Sequence, residues 1–176
     1  MTDQDTDRQQ PVTGVTTAGT EREVLEFFLD FYRQVTKNKV RGLDEDQIRQ
    51  RRVTSSTTLA GMLKHLAVAE RSWFQRTLAQ YGEKQIGALS HGSDERSWLV
   101  NDGETLDDLI AEYDEACAQS RAAAALFDLG HTVPHHRLGV VSLRWIYVHM
   151  IEETARHAGH ADIIREQIDG VTGIGM

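Results

Sequence analysis

Histidine and carboxylate side chains cluster in the last long apolar-periodic segment, and their spacing is where chemistry is most readily built. Three of the eight histidines, His149, His157 and His160, fall there beside Glu153. At about 100° per residue, with His149 as zero, Glu153 sits at about 40°, His157 at about 80° and His160 at about 20°. All four project from one helical face. Glu153 and His157 are four residues apart, so their side chains stack one turn apart and can reach a single ion at about 2.0–2.2 Å each. A third donor has to come from another element. His65 borders the apolar stripe of Met62, Leu66 and Ala69, which directs it toward the interior. Each residue also has an ordinary reading: His65 as a hydrogen-bonded core histidine, and Glu153 with His157 as solvated helix neighbours.

Other reactive side chains are weaker candidates. His149 and His160 are read as supporting or surface groups, and the adjacent His135 and His136 as solvated and pointing apart. Cys117, set among alanines, reads as a small core residue rather than a nucleophile. Trp73, Phe74 and Trp145 read as core or interface packing.

Four amphipathic helices are predicted to position these groups. Thr20-Glu21-Arg22-Glu23 has capping-box form and opens the first, whose stripe of Val24, Leu25, Phe27, Phe28, Phe31, Tyr32 and Val35 runs to about Val40. The second runs from Ser56 or Thr57 to about Tyr81. The third runs from the capping box at Thr105 to Phe127, and the fourth from about Ser142 to Ile168. Asp44-Glu45-Asp46-Gln47 could cap a short surface turn. Long connections follow helices 1 and 2, the second of them holding Trp98, and a loop holding Pro134 precedes the last helix. With only two prolines in 176 residues and no long strand alternation, the expected fold class is all-α, a four-helix bundle. Residues 1–19 read as a disordered polar leader, 20–170 as the one domain and 171–176 as a Gly-rich tail.

Composition narrows the partners. A net charge of −8 opposes a phosphate backbone or an anionic lipid surface, so neither nucleic acid nor membrane is expected as a partner. One cysteine excludes an intrachain disulfide and a zinc finger, and the N-terminal residues lack signal-peptide character. A cytoplasmic location is expected.

Two segments carry a resemblance. Lys64-His65-Leu66-Ala67-Val68-Ala69-Glu70-Arg71-Ser72-Trp73-Phe74, followed downstream by Ser142-Leu143-Arg144-Trp145 and by His149 through Ile163, resembles the DinB-like superfamily. More narrowly the chain is similar to an actinobacterial branch related to mycothiol S-transferases, over about residues 20–170. The resemblance implies a four-helix bundle that holds one divalent metal through a His on the second helix and two residues four apart on the last, the second of these two before a Gly. That pattern falls on His65, Glu153 and His157, with Gly159 as the glycine. Many relatives have His where Glu153 stands, whereas the mycothiol-dependent maleylpyruvate isomerase group is similar in using Glu. His160 stands where relatives often have Gln.

A two-His, one-carboxylate set suits zinc first, with nickel, iron or manganese also compatible. The activity implied is metal-dependent transfer of a low-molecular-weight thiol, such as mycothiol, to an electrophile. Arg144 or Arg156 could steer an anionic thiol or be plain surface charges. The alternatives are a non-enzymatic, stress-related metal-binding or dimerisation module and a metal-dependent hydrolase. Relatives, and Trp98 as an interface anchor in a polar loop, point to a homodimer.

Overall fold

The structure, a computed structural model, describes residues 17–86 and 95–173. The leader expected over 1–19 falls mostly outside the described residues, as do 87–94 of the second long connection and the last three residues of the tail. The described chain is mostly helical. Helix α1 spans Glu21–Asn38 behind the capping box, with Thr20 accepting from the Glu23 amide and Glu23 accepting in return. A short α2, Glu45–Ile48, carries its own box from Asp44 and Gln47, as the sequence indicates. Helix α3 spans Leu59–Glu70 with Thr58 as N-cap. It continues without a break as a π-helix, Arg71–Leu78, in which the Ala79 amide bonds the Phe74 carbonyl five residues back. A short α4, Glu83–Ile86, and a 3₁₀ turn, Glu95–Trp98, lie in the long connection. Helix α5, Leu106–Ala124, opens on the Thr105–Asp108 box. Helix α6, Leu143–Asp169, is capped by Ser142 and stops at Gly170, whose φ of 80° is a left-handed conformation suited to glycine.

One expectation is corrected before α6. The segment around Pro134 is a β-hairpin, with β1 (Thr132–His135) antiparallel to β2 (Gly139–Ser142) and Val133 opposite Val141. These two valines are buried against the core, and that apolar pair is what holds so short a ribbon. Ser142 ends β2 and caps α6, so the hairpin fixes where the last helix begins.

Helix α1 packs on α6, and α3 on α5 and α6. Two apolar clusters result. One gathers Leu63, Leu66, Tyr113 and Ile164, and the other Leu29, Phe74, Ile146 and Met150. The innermost residue of α1 is Leu29, not the aromatic stripe read from the sequence; Phe28 remains 45% exposed. The reason lies in the next turn. Arg33 reaches inward and forms a two-point pair with Glu70, Nε to Oε1 at 2.8 Å and Nη2 to Oε2 at 2.6 Å, with both side chains buried. This pair ties α1 to the point where α3 becomes π-helical. Removing one partner leaves the other as an uncompensated buried charge. Glu70→Ala should therefore cost about 3–5 kcal/mol in urea unfolding. A loss under about 1 kcal/mol would show that the pair does not fasten α1.

Candidate metal centre

Helix α3 is oriented about its axis by its charged neighbours. Lys64 bonds Glu104 at 2.5 Å and Glu112 at 2.7 Å on the α5 side, and Arg71 bonds Glu112 at 2.7 Å. With Lys64 held toward α5, the next side chain, about 100° around the helix, faces α6. That residue is His65, and its Nε2 lies 3.1 Å from Oε1 of Glu153. One turn further along α6, His157 Nε2 lies 3.1 Å from the same oxygen. The three residues are only 6–8% exposed, and their donor atoms lie within 4.8 Å of one another.

The 3₁₀ turn completes the enclosure. Ser97 Oγ holds Nδ1 of His65 at 2.9 Å, which leaves Nε2 as the nitrogen aimed at Glu153. Trp98 stacks on the His65 ring, centroids 4.3 Å apart and planes 13° apart, and meets the His157 ring edge-on at 5.3 Å. Gly61 makes this approach possible. A Cβ there would stand 2.8 Å from the Trp98 carbonyl oxygen, too close for any other residue without displacing the turn.

Electrostatics agree with three converging donors. Burial works against the Glu153 charge, but hydrogen bonds from His157 and His65, together with Arg156, outweigh it and hold the carboxyl well below the usual range. The group is a carboxylate at neutral pH. Donors about 2.0–2.2 Å from one tetrahedral ion stand about 3.3–3.6 Å apart. The two 3.1 Å separations found lie just inside that span, so the residues present fit a divalent cation. Nδ1 of His157 is buried without a hydrogen-bond partner.

His65 and Glu153 also line a cavity of about 560 Å³. Its walls include Ser72, Trp73 and Arg76 of the π-helix and His135 and Arg137 of the hairpin. Trp73 is therefore a cavity residue, whereas Phe74, one position on, is buried core as expected. His149 lines the cavity too, between the Trp73 and Trp145 rings at 4.6 and 5.1 Å, and takes no place among the three donors. His160 is exposed. His135 is not simply solvated, because it stacks on Trp73 at 5.0 Å with planes 8° apart, and the His135 and His136 rings lie 4.6 Å from each other rather than pointing apart. Of the two arginines considered for steering, Arg144 bonds Glu21 at the start of α1, and Arg156 lines the cavity while paired with Glu152 and Glu153. Cys117 is buried in the core; burial, with Glu70 nearby, pushes its thiol well above the usual range and makes it unreactive.

Sequence reasoning had no access to Ser97, Trp98 in its stacked position, or the hairpin wall, since loop residues carry no periodicity that ties them to a helix face. The second helix starts with Thr58 as N-cap, one or two residues later than the Ser56 or Thr57 start expected, and Gly61 in its first turn admits the Trp98 backbone.

With this geometry in place, the comparisons fit it. The family model described as mycothiol-S-transferase matches residues 24–170, and the chain belongs to that family, within the DinB-like superfamily. No curated protein matches the chain. No helix among the described residues is long and apolar enough to cross a membrane.

Ser97→Ala should release the His65 ring and weaken divalent-ion binding about 10–100-fold in competition with a chromophoric chelator. An unchanged affinity would mean that Ser97 does not orient the ring.

Proposed function

We propose that this chain is a metal-dependent thiol S-transferase that joins the sulfur of a low-molecular-weight thiol, mycothiol on the family's description, to an electrophilic carbon. The observation that carries the reading is the convergence of three protein donors, His65, Glu153 and His157, the first two of which line a cavity of about 560 Å³. Three ligands leave coordination positions for a small molecule, which a closed structural site does not. In this reading the long helices form a DinB-like four-helix bundle over residues 20–170, the polar leader over 1–19 is dispensable, and the enzyme works in the cytoplasm.

Zinc is the first choice for the donor set, with nickel, iron and manganese next; bound there, the ion supplies Lewis-acid lowering of the thiol pKa. The protein's part is to hold and orient. Glu153 contributes the negative charge, His65 is fixed through Ser97, and Trp98 shields both imidazoles from water on the side away from the cavity. The cavity keeps thiol and electrophile adjacent, which converts an encounter between two solutes into a reaction within one site. No protein nucleophile is required, and Cys117 is too deeply buried to supply one.

Mycothiol and monochlorobimane provide the test, because the conjugate forms a carbon–sulfur bond and releases chloride and the thiol proton. Turnover should require both thiol and divalent metal, vanish together with the bound ion in His157→Ala, and persist in Cys117→Ala. A full metal complement in two of the three single alanine variants of His65, Glu153 and His157 would overturn the ligand assignment. Metal removal that lowers the melting temperature while no thiol supports turnover would favour a structural ion and a binding module.

A further inference from the structure

The transferase reading leaves the electrophile unassigned, and the cavity wall is chemically uneven. The chain as a whole carries 27 Asp and Glu against 19 Lys and Arg. Among the described residues lining the cavity the balance reverses, with Arg76, Arg137 and Arg156 against the single carboxylate of Glu153. Arg156 is already engaged by Glu152 and Glu153. Arg137 is different. It sits exposed at the turn between β1 and β2, and no carboxylate among the described residues lies within ion-pair distance of it. Ser72 also lines the cavity, and its Oγ is buried with no hydrogen-bond partner.

The hairpin that carries Arg137 is not a loose flap. His135 stacks on Trp73, and Trp73 in turn packs on Trp145 and His149, so the turn is joined by rings to the π-helix and to α6. A guanidinium held at such a rim presents paired N–H donors in the fork that matches a carboxylate.

We propose that the cavity selects electrophiles bearing a carboxylate, read by Arg137 on the hairpin. The inference rests on the transferase reading for its chemistry but not for its binding. For a conjugated ketone, the thiol sulfur bonds the β-carbon, the carbon–carbon π pair moves to the α-carbon, and the proton lost by the thiol ends there. Nothing is oxidised or reduced. The carboxylate takes no part in the bond changes and serves only to place the β-carbon.

Two matched pairs of probes separate binding from turnover. Benzylacetone and para-carboxybenzylacetone are unreactive and report binding by calorimetry on the metal-loaded protein. Benzylideneacetone and para-carboxybenzylideneacetone report conjugation with mycothiol. The carboxylated member of the first pair should bind at least about tenfold more tightly, with a preference that shrinks as salt rises and falls close to one in Arg137→Gln. The second pair should show the same preference in kcat/KM. Equal binding of the two saturated ketones, or a preference that Arg137→Gln leaves intact, overturns the inference. If the binding preference holds and neither unsaturated ketone is conjugated, the transferase reading fails while the carboxylate site stands. Conjugation of both unsaturated ketones at equal efficiency supports the transferase reading and overturns carboxylate selection.

Discussion

A carboxylate 8% exposed between two helices has to be compensated, and the site follows from how Glu153 meets that demand. Water is largely excluded from it, so its partners must come from the protein: His157 from the next turn of its own helix, His65 from α3 and Arg156 from three residues on. Each requirement constrains an element. His65 reaches only if α3 is rotated with Lys64 toward α5, and His157 only if α6 stays regular from Glu153 to His157, which it does. Two imidazole nitrogens pointing at one carboxylate oxygen form a compact arrangement of electron-pair donors. A divalent cation satisfies all three at once.

The same helix that offers His65 changes character immediately after Glu70. There the Arg33 pair fastens α1 to α3, and from Arg71 onward the backbone widens to π-helical bonding. The wider turn divides its side chains, sending Phe74 and Leu78 into the core while Ser72, Trp73 and Arg76 border the cavity. The hairpin then adds His135 and Arg137 from the far end of the sequence. The cavity wall thus draws half of its lining residues, His65 among them, from one continuous helix, with the buried ion pair at the junction.

The clustering of these three side chains was legible in the sequence because helical periodicity converts spacing into direction: Glu153 and His157 at i, i+4, and His65 beside an apolar stripe. The helices, two capping boxes and the short turn capped at Asp44 were legible for the same local reasons, and the structure places them within a few residues of the expected bounds. The rest depends on tertiary contact. Arg33 sits in a stretch that reads as a charged face, and nothing local reveals that Glu70, 37 residues on, will bury it. Trp98 reads as an unattached anchor until Gly61 is seen to admit its turn against α3. Four-residue strands carry too little alternation to announce a hairpin. Leu29 rather than the aromatics became the centre of α1 because the buried arginine sets the rotation of that helix.

The central claim is that a small-molecule thiol reaches a metal held by only three protein side chains. Cobalt(II) substituted into the protein and titrated with mycothiol tests it directly by absorption spectroscopy. The account predicts visible bands of a four-coordinate nitrogen and oxygen site, and a new sulfur-to-cobalt charge-transfer band that grows with thiol to one equivalent and is absent in His157→Ala. A cobalt spectrum unchanged by saturating thiol would contradict it.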